Sequence, residues 1–132
     1  MVHLARLGPA NDPAKLHGAM TDPIYKICSR AALRDAEACG ELRPSADDAR
    51  DGYIHLSTQA QLRGTLERHF RGQRSLVLLS VSVERLPAAA LRWEPARDGK
   101  LFPHLYGALP MSAIVGTSEI DDAEPRQLPP GF

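Results

Sequence analysis

Tyr53, His55 and Ser57 alternate along GYIHLST (residues 52–58), and Thr58 follows them. In an extended chain successive side chains point to opposite faces. A phenol, an imidazole and a hydroxyl therefore share one face, and Ile54 and Leu56 share the other. With the apolar pair in the core, the polar face opens on a cleft or on solvent. An imidazole placed there can donate to a ligand oxygen, and a hydroxyl one pleat away can hold the same ligand. The alternative is an edge strand whose polar face is merely wet.

A second group lies in LFPHLYG (residues 101–107), where Phe102, His104 and Tyr106 stand between Pro103 and Gly107. Proline fixes φ and glycine permits a tight return, so the segment reads as an ordered turn able to hold an aromatic ligand ring. It can equally serve as an aromatic plug on the core. The third group is Arg92-Trp93-Glu94. Trp93 is expected to pack inward, which turns Arg92 and Glu94 the other way together. There they form a surface ion pair, or Glu94 supplies a carboxylate that stabilises a developing cation or orients a ribose hydroxyl.

Other chemistries find less support. His55, His69 and His104 have no metal-ligand spacing of the HExxH kind, and His69 falls on the inner stripe of a helix, the place of a core histidine. No metal site is expected. GxSxG is absent, and Ser57 two residues from His55 on one strand is poor geometry for a nucleophile and its base. GxGxxG and GxxxxGK[ST] are absent too.

The elements that must position these residues follow from periodicity. Ile24–Cys28 reads as a first strand. Ser29 caps a helix from Arg30 with Ala32, Leu33, Ala36 and Cys39 on one face, and Gly40 stops it. A polar loop through Pro44, Ser45 and Asp47 leads to GYIHLST. Thr58-Gln59-Ala60-Gln61 is a capping box, and Leu62, Thr65, Leu66, His69 and Phe70 form the inner stripe of the helix it opens. Ser75–Val83 is the strongest strand and, being continuously apolar in its first half, is expected at the centre. A turn at Leu86-Pro87, a strand at Leu91–Glu94 and a last strand from Ala113 towards Glu119 complete the order β-α-β-α-β-β-β. The class is α+β: a single domain with a split, mixed sheet of five strands and two main helices packed on it.

The 132 residues suffice for one domain, and 16 basic residues balance 16 acidic ones, which excludes a polyanion binder held by bulk charge. Arg63, Arg68, Arg71 and Arg74 cluster about the second helix and its exit, and read as a solvated face; an RNA backbone would pass there if the chain had such a partner. No stretch approaches the roughly 18 apolar residues of a membrane helix. Residues 1–20 lack the apolar segment of about 7–15 residues that marks a signal peptide, so a cytoplasmic protein is expected. Its two cysteines, Cys28 and Cys39, are expected as buried free thiols. Residues 1–22 read as a flexible extension, with 1–19 an upstream addition or an arm; 23–120 form the globular domain and 121–132 a loop-like tail.

With these motifs in hand, the chain resembles the bacterial family called domain of unknown function 952. The resemblance rests on Ile24–Ile27, Asp51–Thr58, Gln61 and Thr65, Leu76–Val81, Leu91–Glu94 and Phe102–Gly107. It spans about residues 23–118, with Leu33 standing where the family usually has tryptophan. It implies a fold similar to that of the ADP-ribosyltransferases, with an NAD cleft between the halves of a curved sheet. His55–Ser57 also looks like a strand motif of the RNA 2′-phosphotransferases in that superfamily. The implied ligand is a nucleotide such as NAD, bound by the protein or consumed as substrate in ADP-ribosyl transfer or 2′-phosphotransferase-like chemistry. In that reading His55, His104 and Glu94 are the catalytic candidates, with Glu119 a second choice of carboxylate. Tyr53, Ser57, Thr58 and Tyr106 are the candidate cofactor-binding residues. The rival reading is a non-catalytic module holding a small ligand or a protein.

Overall fold

Continuous apolar character along Leu76–Leu79 demands a strand covered on both faces, and the fold is built around it. The computed structural model describes residues 22–96 and 99–132. In it β4 (Leu76–Val81) lies between β1 (Ile24–Ser29) and β8 (Ile114–Ile120), antiparallel to both. One face of this sheet packs Ile24, Cys28, Val77, Leu79 and Val81 into the larger core cluster, and the other turns Tyr25, Ile27, Leu76 and Leu78 towards a smaller one.

Helix α1 (Arg30–Cys39) follows β1 directly. Ser29 accepts from the Ala32 N–H, and Gly40 ends the helix in a left-handed conformation, φ 92°, that a side chain would resist. Leu33 and Ala36 are its buried residues, as the stripe predicts, whereas Cys39 is exposed rather than buried. The chain then pairs β2 (Glu41–Leu42) with β7 (Leu109–Pro110) in a ribbon of its own. Where a polar loop was expected, Ser45 and Asp48 make a reciprocal capping box that starts a short helix, α2 (Ala46–Asp51).

A second sheet has the order β3-β6-β5, from β3 (Ile54–His55), β6 (Leu101–Leu105) and β5 (Leu91–Pro95). Two expectations fail here. Leu101–Leu105 of LFPHLYG is the central strand of this sheet rather than a turn. Pro103 is tolerated because its carbonyl faces the β3 side, accepting from the Leu56 N–H at 3.1 Å beyond the last ladder pair, so no ladder bond needs the N–H that proline lacks. The sheets are also not mixed: every strand pair among the described residues is antiparallel. The reason lies in α1, which delivers the chain to the β2–β7 ribbon rather than back to the sheet of β1, so no parallel crossover forms.

GYIHLST stitches the two sheets together. Ile54 and His55 pair with β6, while Ser57 exchanges backbone hydrogen bonds with Tyr25 of β1. The capping-box segment begins as a 3-10 turn (Gln59–Gln61) and continues as α3 (Leu62–His69), which buries Leu62 and Leu66 in the smaller cluster. His69 is exposed, not part of the inner stripe, and is the last residue of α3. The irregular segment 121–132 returns across the same face, with the Phe132 ring edge-on to Tyr25 at 5.2 Å. Residues 1–21 lie outside the described residues, and with them nearly all of the expected extension. No helix among the described residues is long and apolar enough to cross a membrane.

Candidate functional site

Strand alternation gives the β3-β6-β5 sheet one apolar and one polar face. Ile54, Leu105, Leu91 and Trp93 turn to the larger core cluster, Trp93 inward as expected. His55, His104, Arg92 and Glu94 occupy the opposite registers. His55 and His104 are direct cross-strand partners, and their ring centroids lie 5.8 Å apart. Tyr53, just before β3, roofs this face. Its ring stacks on His104 at 3.9 Å and lies within 5.3 Å of Tyr106 and 4.7 Å of His55. The roof explains why a histidine on the polar side is only 2% exposed.

Each histidine is tied to carboxylates. His104 Nδ1 is 2.8 Å from Glu94 Oε1, which also accepts from the Tyr106 hydroxyl at 2.7 Å. The hydrogen bond from Tyr106, and after it the one from His104, hold the Glu94 carboxyl below its usual range. Glu94 is therefore ionised near neutrality, and since a carboxylate only accepts, His104 Nδ1 carries a proton. Burial pushes the His104 imidazole below its ordinary pKa and outweighs the opposing pull of Glu94. Its neutral form is favoured. The hydrogen bond that Tyr106 donates to Glu94 raises the Tyr106 phenol, and burial followed by the charges of Asp51 and Glu94 raises that of Tyr53. Arg92 does not form the expected ion pair with Glu94; its guanidinium lies over the Tyr106 ring, 4.8 Å from the centroid.

His55 stands between two acids. Nδ1 is 2.6 Å from Asp48 Oδ1 and Nε2 is 2.9 Å from Asp51 Oδ2. Asp48, 2% exposed, is the hub. It receives the backbone N–H groups of Ser45 and His55 and the ammonium of Lys26, whose Nζ lies 3.0 Å from Oδ2 and also donates to the His55 carbonyl. Burial works against ionising Asp48. The His55 hydrogen bond, the Lys26 charge and the Ser45 N–H overcome it and hold the carboxyl well below the usual carboxylate range. The Lys26–Asp48 pair also borders a pocket of about 450 Å³, lined by Cys28, Ala32 and Ala36 of the β1–α1 unit and by Leu42 and Pro44.

Of the residues singled out from the sequence, Tyr53, His55, Glu94, His104 and Tyr106 come together. Ser57 and Thr58 do not. Ser57 leaves the alternation where the chain crosses to β1, and its buried hydroxyl bonds Thr65 of α3 at 2.8 Å. Thr58 is buried at the start of the 3-10 turn, where its N–H donates to Gln61 Oε1. Glu119 is an exposed partner of Arg30 on β8, in the other sheet. Sequence reasoning missed Lys26, Asp48 and Asp51. The signals were a lysine between Ile24 and Cys28 on a buried strand face, and a serine followed three residues later by an acid. Among the described residues no group of three or more histidine, cysteine or acidic side chains is arranged to hold a metal ion.

This architecture recurs in solved structures. The crystal structure of protein CC0527 from Caulobacter crescentus superposes with a TM-score of 0.75 at 43% identity, over 80% of this chain and 93% of that one. The solution NMR structure of the same protein gives a TM-score of 0.69 at 45% identity, over 79% and 90%. No curated protein matches the chain. The profile of the family described as "Protein of unknown function (DUF952)" matches residues 27–117, and the chain belongs to that family.

Proposed function

We propose that the polar face of the β3-β6-β5 sheet binds a nucleotide of the NAD type, in line with the ADP-ribosyltransferase-like fold that the sequence resemblance implies. The observation that carries this reading is the cross-strand pair His55–His104, each braced by a carboxylate and flanked by Tyr53 and Tyr106. The tyrosines offer ring surface to a base or a nicotinamide. His55 faces a ribose hydroxyl or an amide, and His104 contacts phosphate or exchanges a proton. Glu94 supplies a held, ionised carboxylate. In a transferase it would lie against the positive charge that develops on the ribose as nicotinamide leaves with the bonding pair and an acceptor oxygen attacks.

A second reading, a binding module without turnover, is favoured by the contacts of His55. Both of its ring nitrogens already face carboxylates, which leaves it no open position for proton transfer. One titration separates the readings. NAD, ADP-ribose and nicotinamide are added to the full chain while histidine and tyrosine side-chain NMR signals and free nicotinamide are followed. Shifts at Tyr53, His104 and Tyr106 with nicotinamide release that disappears in Glu94→Gln support the transferase. Shifts without release support the module. If none of the three compounds moves these signals, the nucleotide reading is wrong.

A further inference from the structure

At the mouth of this face two basic side chains converge on one exposed carboxylate. His55 Nε2 lies 2.9 Å from Asp51 Oδ2, and Arg50 Nε lies 3.6 Å from Asp51 Oδ1. Each base has a second carboxylate partner. The far nitrogen of His55 is held by Asp48, itself fixed by buried Lys26. Arg50 also lies 3.2 Å from Asp47 one turn back, in a pair more exposed than the one with Asp51. Asp51 lies at the surface. Its side chain is 38% exposed, it is the last residue of α2, and Gly52 follows in a left-handed conformation. Exposed ion pairs of this kind hold their partners weakly.

We propose that His55 and Arg50 form an oxyanion subsite which Asp51 fills in the free protein, and that a phosphate group of the ligand displaces the Asp51 carboxylate. A carboxylate and two phosphate oxygens present the same paired acceptors to such a fork. The inference rests on the nucleotide reading and orients it. It moves the phosphate from His104, which is buried, to His55 and Arg50, and the base or nicotinamide turns to Tyr53 and Tyr106. Asp51 is then a built-in competitor, so its removal tightens binding instead of weakening it.

The test titrates the full chain with inorganic phosphate, AMP and adenosine, reading the His55 ring signals and the dissociation constants. Phosphate and AMP are expected to move His55 Nε2 more than the His104 ring. Asp51→Ala should tighten both by about threefold or more and leave adenosine unchanged. Arg50→Gln should weaken both by a similar factor. Asp51→Asn, which keeps the side-chain shape, serves if the alanine variant does not fold. A folded Asp51 variant that binds phosphate no tighter, or a phosphate response centred away from His55, overturns the subsite. Adenosine shifts at Tyr53 and Tyr106 in that case leave the nucleotide reading standing. Tighter phosphate binding with no response to adenosine or NAD keeps the subsite, assigns it to free phosphate or another phosphorylated compound, and removes the nucleotide.

Discussion

His55 and His104 face each other across the β3–β6 ladder, yet they live in opposite surroundings. The His104 side chain is buried, stacked on the Tyr53 ring and bonded to one carboxylate, while that of His55 is about one-third exposed and placed between two. One register of one sheet thus presents a neutral-favoured imidazole beside an acid-clamped one.

The Lys26–Asp48 pair is the structural keystone of the His55 side. Asp48→Ala leaves a buried ammonium unpaired, and losing one partner of a buried pair costs about 3–5 kcal/mol. Urea denaturation should show a loss in that range for Asp48→Ala and for Lys26→Ala. The double replacement Lys26→Met with Asp48→Leu should be less destabilised than either single variant. A loss under about 1 kcal/mol for Asp48→Ala would mean that the pair does not bear on stability.

Stability should fall in two separable steps on acidification. His104 has a folded pKa below its unfolded value, so below about pH 6.5 the unfolded chain takes up a proton that the folded chain refuses. Its contribution is complete above that pH and is lost as pH falls through the folded value. Asp48 is likewise depressed, so its contribution is present above about pH 3.9 and is lost below it. Thermal melts between pH 8 and pH 3 should show the upper step vanish in His104→Gln and persist in Asp48→Asn. An upper step that survives His104→Gln would assign it to another group.

Tyr53 contributes through its ring rather than its hydroxyl. Tyr53→Leu should cost about 0.5–1.5 kcal/mol beyond its lost area, the usual worth of an aromatic pair, and Tyr53→Phe much less. Removal of the ring current should also move the His104 ring protons downfield in Tyr53→Leu and leave them in place in Tyr53→Phe. Unmoved His104 protons in the leucine variant would contradict the stack.

The two thiols should differ in reactivity. Cys28 is buried, and burial pushes its thiol up to about 11, whereas Cys39 is exposed at the end of α1. A disulfide reagent at pH 8 should modify one thiol per native chain, absent in Cys39→Ser, and a second only on unfolding. Fast modification of both in the native protein would show that β1 opens readily.

The local pattern of the chain determined β1, α1 with its serine cap and glycine stop, and the central place of β4, because period and capping act over neighbouring residues. It also determined that Trp93 packs inward, and it singled out His55, Glu94, His104, Tyr53 and Tyr106, which come together on one face. Only tertiary structure decided the rest. Pro103 reads as a breaker until β3 is seen to end before it. Ser57 shares a face with His55 until the backbone crosses to Tyr25 and turns its hydroxyl to Thr65. Lys26 stands 22 positions before Asp48 and 29 before His55, and the three meet only because α2 docks its acidic turn beside β1 and β3. Charge pairing in the interior is set by distance through space, and the order of residues along a chain does not encode that distance.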